Sequence, residues 1–406
     1  MGGVRPAARR RAAVVAALML AAFTFNTAEN LPVGLLSLMA ADLRVPLGAV
    51  GTLVTGYGLT VAVMSLPAAR ITRSVPRRYL LTGLLGLLAA ASWVSALGSV
   101  SYGPLLAARL VTAVAQASFW VVMGPVAVGL FPPDRRGRVM GLLSVGGSLA
   151  TVLGVPAGTW LGGHGGWQAP FVVLGALALV ALVVIAALLP ASRPQESHAA
   201  YGTDPDRRRF LVVVATTALS VTGVFAGFTY VVAFLGEVSG FGEDAVGGVL
   251  FAFGVAALAG VALTGPLLDR FPRATLTVPV ATQAAAMLGL CAAGSSQVAT
   301  VALFMVLGAS VAPVFMATQS QVLRVAPGRT ESALAVNSAA FNVGVAAGSL
   351  LGGVLLPVVG VRGAFLAGGL LTVGALGLLI RSDRRASSAA VRTRRPCRVI
   401  RILNGR

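Results

Sequence analysis

Long apolar runs recur along the whole chain, each close to the length that an α-helix needs to cross a lipid bilayer. About 20 helical residues span the roughly 30 Å of hydrocarbon in a bilayer. Short polar breaks separate twelve such runs, so the pattern predicts an all-α membrane protein with twelve transmembrane helices. The predicted spans are residues 12–38, 47–69, 79–99, 104–130, 138–162, 169–190, 210–235, 244–267, 274–294, 298–323, 332–357 and 361–381.

The longest polar break inside this array, residues 190–209, follows the sixth span. The two halves on either side share features: loops with proline and arginine follow the second and eighth spans, and closely spaced glycines occupy the fifth and eleventh. Internal repeats of this kind are common in transporter folds. We therefore predict two pseudo-symmetric six-helix bundles, 1–190 and 210–381, joined by a cytoplasmic linker loop at 191–209 and followed by a basic, disordered cytoplasmic tail at 382–406.

The composition excludes the soluble classes of protein. Hydrophobic residues make up 57% of the chain and charged residues 11%, whereas soluble domains contain about 25% charged residues. So little charge does not cover the surface of a soluble enzyme, and a disordered chain needs low hydrophobicity. The two cysteines, Cys291 and Cys397, provide neither a disulfide framework nor a metal site.

The net charge of +19 comes from arginine, because the chain contains no lysine. With twelve spans and both termini in the cytoplasm, 28 of the 31 arginines fall on the cytoplasmic side and two, Arg44 and Arg362, on the other. Cytoplasmic loops of membrane proteins carry such an excess of positive charge. We therefore assign the surplus to topology and expect no nucleic-acid partner.

Glu29 is the one acidic residue well inside a predicted span. An ionised carboxylate is costly in hydrocarbon, so an acid at this depth suits a group that takes up and releases a proton. Asn26, Glu29 and Asn30 fall on one helical face and predict a polar patch on a water-filled cavity. The alternative is a glutamate that only hydrogen-bonds the backbone beside Pro32.

Arg109 is the only cation well inside a predicted span, away from its ends, and its helical face continues through Gln116 and Trp120. A buried guanidinium needs acceptors, which are either a carboxylate such as Glu29 or backbone carbonyls. Beside Glu29 it would ease deprotonation, and we assign both residues to proton coupling. The alternative is a structural arginine whose side chain reaches water at the outer end of its helix.

Several motifs resemble those of the major facilitator superfamily. Residues 265–273 are similar to its loop motif G-x-L-x-D-R-x-G-R, with Pro272 in place of the second glycine, and residues 154–158 resemble the fifth-helix motif of its proton-coupled antiporters. Arg109 matches the fourth-helix arginine of that group, and Thr-Ala-Glu at residues 27–29 looks like a motif of a bacterial efflux branch. That branch of twelve-span drug:proton antiporters includes chloramphenicol-resistance, sugar-efflux and purine-efflux permeases. The order and spacing of the motifs extend the resemblance over nearly the whole chain.

Two segments suit points of conformational change. Pro156 removes a helical hydrogen bond between two glycines that permit close helix packing, and the charged loop after the eighth span can pair with neighbouring helix ends in one conformation and separate in another. The first-half copy of that loop departs from the motif, with Arg73 and Ser74 at the positions of its Asp and Arg. Static small-residue packing and a plain cytoplasmic anchor are the alternatives. The predicted gating residues are Gly154, Pro156, Gly158, Gly265, Asp269, Arg270 and Arg273.

Aromatic and amide side chains of both halves complete a candidate substrate cavity with an apolar surface and a few hydrogen-bonding groups. Each of them, taken alone, is more often a packing residue than a ligand contact. The predicted substrate-binding residues are Asn26, Asn30, Gln116, Trp120, Phe228, Tyr230, Phe315, Gln319 and Asn337.

The resemblance implies a secondary transporter that exports a small, largely apolar organic molecule, such as a chloramphenicol-like drug or antibiotic, in exchange for protons. It implies a monomeric multi-pass protein of the bacterial inner membrane, with the substrate, protons and membrane lipids as partners. The sequence has no G-x-x-x-x-G-K-[ST] motif, so we expect no ATP-driven step. We also expect no enzyme activity, no metal and no cofactor, with the proton gradient as the energy source. The alternatives are a sugar or nucleoside/purine transporter and a non-transporting membrane sensor or lipid-handling scaffold.

Overall fold

A computed structural model describes most of the chain, and the regular structure of the described part is helical, with no strand. The described residues are 4–72, 75–97, 101–131, 136–190, 203–268, 270–328 and 330–393. The first half contains helices α1 (Val4–Leu43), α2 (Leu47–Ile71), α3 (Arg77–Ser95), α4 (Tyr102–Gly129), α5 (Arg136–Leu149, a π-helical turn at Ala150–Gly154, and Val155–Gly165) and α6 (Ala169–Leu188).

The second half contains six further helices. Thr330–Thr393 is nearly continuous, but Gly360 has φ 64° and ψ −176°, which separates two helices, α11 (330–359) and α12 (361–393). The others are α7 (Arg207–Phe228, followed by a short helix Val231–Ala233 and a π-helical turn Phe234–Val238), α8 (Glu243–Thr264, followed by a 3₁₀ turn Gly265–Leu267), α9 (Ala274–Ala293) and α10 (Gln297–Val325).

These helices confirm the predicted fold class. Ten stretches of the described chain are long and apolar enough to cross a membrane; one of them, Ser332–Ser382, includes most of α11 and the first two thirds of α12. The remaining predicted span is α5, which its π-helical turn interrupts. Val183, Val278 and Leu370 are 57%, 60% and 59% exposed on the surface of the bundle, where lipid chains would cover them. The protein is therefore a multi-pass membrane protein.

The end of the chain differs from the prediction. Helix α12 continues to Thr393, so the predicted tail begins as helix rather than as a disordered segment. Alanine and arginine, which are frequent in residues 382–393, both favour helix. Residues 394–406 and 191–202 lie outside the described residues, and the domain divisions stay a prediction.

Helix α5 packs on α1 through a row of glycines. Side chains at four-residue intervals on α1 fill the notches that glycines leave at the same intervals on α5. The pairs are Thr27 with Gly154, Leu31 with Gly158, and Leu35 with Gly162. A Cβ atom at any of these glycines would lie 2.1–2.5 Å from the facing side chain, so only glycine permits this approach of the two helices.

The second half packs in the same way, with glycines of α11 against α7. The contacts are Gly344 with Ala218 and Val221, Gly348 with Thr222 and Phe225, and Gly352 with Ala226 and Tyr230. Helices α5 and α11 therefore occupy equivalent places in their halves, as the glycine spacing in the sequence indicates.

Replacing Gly158 with valine should destabilise the protein, because Leu31 occupies the space that the new side chain needs. Overpacking a well-packed core costs about 1–3 kcal/mol. Gly163→Val is a matched control on the same helix, since nothing lies within 4 Å of a Cβ at that position. We expect the unfolding midpoint in detergent to fall for Gly158→Val and to stay near that of wild type for the control. Equal midpoints for the two variants would contradict this packing.

The two halves meet where α2 packs on α11 and α5 packs on α8. We call the end of the bundle with the α1–α2 and α7–α8 connections the far end, and the opposite end, with the arginine-rich loops, the basic end. Gly48, at the start of α2, lies against Gly353 of α11, and Gly58 lies against the carbonyl of Asn342. The contacts between halves thus extend from the far end to the middle of the bundle.

Candidate functional site

Glu29 lies in the first half on α1, where its side chain is partly exposed. Its Oε2 accepts a hydrogen bond of 2.6 Å from Nε2 of Gln116 on α4. The Oε1 of Gln116 accepts a hydrogen bond of 2.5 Å from the hydroxyl of Tyr57 on α2. The structure therefore brings together two predicted residues, Glu29 and Gln116, in a chain that joins three helices.

Arg109 lies beside Glu29 but binds its backbone. The guanidinium, 2% exposed, donates to the carbonyl oxygens of Ala28 and Glu29, the latter at 2.9 Å. Among the residues that the structure describes, its Nε finds no hydrogen-bond partner. The guanidinium carbon lies 4.3 Å from the centroid of the Tyr57 ring, a cation–π contact. Of the two kinds of acceptor that the sequence left open, the structure selects the backbone carbonyls.

Pro32 explains why α1 offers these acceptors. Proline has no N–H, so the carbonyl of Ala28, four residues earlier, has no donor within the helix. A buried carbonyl without a donor costs about 1–3 kcal/mol. Arg109 supplies the missing donor, so Pro32 and the buried cation form one structural unit.

Tyr57 is a site residue that the sequence pattern did not single out. Its side chain is 1% exposed, and both its hydroxyl and its ring contact the Glu29 and Arg109 neighbourhood. The sequence did contain a clue to this residue. A tyrosine hydroxyl inside an apolar span needs a hydrogen-bond partner, so Tyr57 should face a polar group.

Asn26 and Trp120, two further predicted residues, meet at Gly147 of α5. The Nδ2 of Asn26 donates to the Gly147 carbonyl at 3.1 Å, and the Trp120 ring lies against Gly147 while 39% of the side chain is exposed. The Nδ2 of Asn30 instead donates to the carbonyl of Asn26 at 2.9 Å. Asn26 and Asn30 thus both donate an amide proton to a backbone carbonyl, and the predicted polar patch on a water-filled cavity stays a prediction.

The second half contributes uncharged polar groups. The Thr217 hydroxyl donates to Oδ1 of Asn337 at 2.8 Å, and Nδ2 of Asn337 donates to Oε1 of Gln319 at 3.0 Å. This chain joins α7, α11 and α10, and its Gln319 end is partly exposed. Within the described part of the molecule, Arg109 is the only buried charged side chain, so the interior of the second half is neutral.

Aromatic rings lie beside these amides. Phe228 stacks on Phe253 with centroids 4.8 Å apart, and Phe315 meets Phe341 edge to face at 4.9 Å. Phe315 and Phe341 line a small, mainly apolar cavity together with the buried Gln283. The structure therefore groups Phe315, Gln319 and Asn337 on α10 and α11, with Phe228 on α7 packed against α8.

Tyr230 lies in the contact between the halves and is fully buried. Its hydroxyl donates to the carbonyl of Ser349 at 2.9 Å, and the Ser349 hydroxyl donates to the carbonyl of Gly51 at 2.8 Å. A Cβ at Gly51 or at Gly353 would lie within 2.6 Å of the Tyr230 hydroxyl. We call these four residues, Gly51, Tyr230, Ser349 and Gly353, the far-end latch. The predicted substrate-binding residue Tyr230 is thus placed in the latch.

Tyr230→Phe should loosen the far-end latch, because it removes the hydrogen bond to Ser349. One buried hydrogen bond contributes about 0.5–1.5 kcal/mol, so we expect the population open at the far end to rise roughly two- to tenfold. Spin labels at Arg44 and Val358, in a variant without the native cysteines, would report this population as a longer distance. Tyr79→Phe, at a 63% exposed position, is the control. An unchanged distance distribution in Tyr230→Phe would contradict the latch.

The predicted gating segment of α5 coincides with a break in helix regularity. Gly154 ends the π-helical turn, and Pro156 and Gly158 follow in the next segment. Because Pro156 has no N–H, the regular hydrogen bond to the carbonyl of Val152 is missing, and a widened turn accommodates the loss. Gly154 and Gly158 also form the packing notches against α1, so the segment combines close packing with a weakened hydrogen-bond ladder.

The second predicted gating segment is the loop between α8 and α9. Of its candidate residues, Gly265, Arg270 and Arg273 are described, and Asp269 lies outside the described residues. The Arg270 guanidinium lies 5.4 Å from the centroid of the Phe271 ring. Gln321 of α10 donates to the carbonyl of Pro272 at 2.5 Å, so the loop is held by the end of α10.

The described part of the chain forms twelve helices, with an acid on α1 and a buried arginine on α4, and defines a polytopic membrane protein. The chain belongs to the major facilitator superfamily, whose family model matches residues 18–277 and 211–403. It is 32% identical over 373 residues to YtbD, an uncharacterised MFS-type transporter of Bacillus subtilis (strain 168), with 89% of this chain and 92% of that protein covered.

Two solved structures have a similar fold. One is a bacterial homologue of the human lysosomal transporter Spinster, in an inward-facing and unoccupied conformation: TM-score 0.73, 15% identity, 92% of this chain and 97% of that chain covered. The other is a mutant of the nucleoside transporter NupG: TM-score 0.74, 11% identity, 91% of this chain and 99% of that chain covered. These two structures show the same fold, while the family match and the Bacillus subtilis relative identify the protein as a transporter of this superfamily.

Proposed function

We propose that this transporter exports a small, largely apolar organic molecule, such as a drug or antibiotic, across the bacterial inner membrane in exchange for protons carried by Glu29. The position of Glu29 carries the proposal. Among the described acidic residues it is the one that lies deep inside a helix bundle, while its side chain is still partly exposed. An acid placed between hydrocarbon and a cavity is suited to take up and release a proton.

Exchange follows if the cavity favours either the proton or the substrate. Each then lowers the affinity for the other by the same factor, because coupling between two binding sites is reciprocal. Alternating access requires the far-end contacts to open while contacts form at the basic end. The far-end latch and the interrupted helix α5 are the elements that this movement would use.

The neutral interior of the second half supports an uncharged or weakly polar substrate. Phenylalanine rings with a few amide and hydroxyl groups are typical of small-molecule sites. The same amide chain, from Thr217 through Asn337 to Gln319, also suits a ligand rich in hydroxyl groups. A sugar or nucleoside transporter is therefore the second candidate.

Reconstitution into proteoliposomes tests the proposal. An imposed pH gradient, acid inside, is followed with a pH-sensitive dye while compounds from a panel of antibiotics, sugars and nucleosides are added outside. A compound that dissipates the gradient in wild-type vesicles and not in protein-free vesicles is an antiport substrate. Uptake that acidifies the lumen would instead identify a symporter, and no response across the panel would contradict proton-coupled exchange of these substrate classes.

A further inference from the structure

We propose that Tyr57 and Gln116 are positioning residues that hold Glu29 in its ionised form, with Tyr57 acting through Gln116. This inference rests on the proposed role of Glu29 as the proton carrier. It assigns a function to the hydrogen-bonded chain that joins α2, α4 and α1.

The direction of the hydrogen bonds carries the inference. An ionised carboxylate only accepts hydrogen bonds, whereas a primary amide has one donating and one accepting end. The Tyr57 hydroxyl donates to the amide oxygen, and the amide nitrogen donates to Oε2 of Glu29. Both protons therefore point towards the carboxylate. Donors aligned in this way favour the charged form of the acceptor, and each bond polarises the next.

The chain is enclosed by protein, which increases its effect. Gln116 is 2% exposed and Tyr57 is 1% exposed, so both donor side chains are shielded from water, and the hydrogen bond between them is buried. Electrostatic interactions are stronger in such surroundings than in water. Glu29 itself is intermediate in burial, so the carboxylate end of these hydrogen bonds is less enclosed than the Tyr57 end.

Two ionisable side chains of neighbouring helices lie at these hydrogen bonds to Glu29: Arg109 of α4 and Tyr57 of α2. The Arg109 guanidinium is bound to the carbonyls of Ala28 and Glu29 and lies over the Tyr57 ring. Its positive charge also favours ionised Glu29, but the hydrogen bond to the carboxylate comes from Gln116. The other ionisable side chains described on α1, and on α3, α5, α6 and the segment after α7 that pack against it, lie towards the helix ends: Arg9, Arg10, Arg11, Asp42, Arg77, Arg78, Tyr79, His164, Tyr230 and Glu237.

Tyr57→Phe isolates the hydroxyl, because phenylalanine keeps the ring under Arg109. Gln116→Leu removes both hydrogen bonds, the one from Tyr57 and the one to Glu29. Infrared difference spectra of the purified protein, titrated with acid, report Glu29 protonation as the carboxylic acid carbonyl band that is missing in Glu29→Gln. We expect the pH midpoint of this band to rise by about one unit in Gln116→Leu, a tenfold change in proton affinity, and by roughly half a unit in Tyr57→Phe.

The double variant tests whether Tyr57 acts through Gln116. We expect its midpoint to equal that of Gln116→Leu alone. Without Gln116 the Tyr57 hydroxyl no longer affects the carboxylate, so removing the hydroxyl as well should change nothing further. Tyr102→Phe is the control, because the Tyr102 hydroxyl also joins α4 to α2, through the carbonyl of Ala49, and is remote from Glu29. Its midpoint should equal that of wild type.

Two outcomes would overturn the inference: a wild-type midpoint in Tyr57→Phe, or a larger shift in the double variant than in Gln116→Leu. Both readouts are spectroscopic and need no knowledge of the substrate. Failure here is distinguishable from failure of the proposed function, which would appear as normal proton-driven transport by Glu29→Gln.

Discussion

Glu29→Gln is expected to abolish proton-driven transport and to leave a folded protein in the membrane. Glutamine has the shape of glutamate but does not titrate, so the cycle loses its proton carrier. Its side-chain oxygen can still accept the hydrogen bond from Gln116, so the contact between α1 and α4 is kept. Proton-coupled flux in proteoliposomes should fall to the level of protein-free vesicles, while the unfolding midpoint stays close to that of wild type.

Asp42→Asn is the matched control for this variant. Asp42 is also an acid on α1, but its carboxylate accepts a hydrogen bond of 2.7 Å from the Trp167 indole at the far end. We expect Asp42→Asn to retain proton-driven transport. Cells that express wild type, Glu29→Gln or Asp42→Asn can be compared on the same antibiotic panel, with growth protection as the readout. Full transport by Glu29→Gln across a pH series would exclude Glu29 as the proton carrier.

The fold was predictable because the bilayer imposes a length on every span. The apolar runs therefore located the helices, but their ends differ from the predicted ones. Helix α1 begins at Val4 and not at residue 12, because helix continues beyond the hydrocarbon layer. The predicted break between the last two spans contains Gly360, the single residue that separates α11 from α12. The interruption of α5 depends on how the chain accommodates Pro156 and does not change the apolar pattern.

The candidate site was predictable in its residue types and only partly in its contacts. Glu29 and Arg109 were identified because charged residues are rare in the predicted spans. A charged group inside hydrocarbon is costly, so such residues are usually functional. Helical periodicity placed Gln116 on the face of Arg109, and the structure places both beside Glu29. Helical periodicity predicts which residues share a face of a helix, but it does not predict which neighbouring helix packs against that face. Tyr230 is an example: the sequence pattern suggested a substrate-binding residue, but its hydroxyl bonds to the carbonyl of Ser349 on α11, within the far-end latch.

Arg109→Met is expected to be destabilising, because the buried carbonyl of Ala28 loses its donor. An unsatisfied buried carbonyl costs about 1–3 kcal/mol. The structural cause lies at Pro32, which leaves Ala28 without a donor inside α1. Pro32→Ala returns an N–H to that position, so Arg109→Met should cost less in the Pro32→Ala background than in wild type.

A double-mutant cycle measures this coupling as the difference between the two costs, from denaturant unfolding in detergent. Residues that share one hydrogen-bonding unit couple by about 0.5–3 kcal/mol. An equal cost of Arg109→Met in both backgrounds would show that the arginine does not replace the missing donor of α1. Proton-driven flux separates the two roles of Arg109. The double variant should recover part of its stability but no transport, because restoring the helical hydrogen bond does not restore the positive charge beside Glu29.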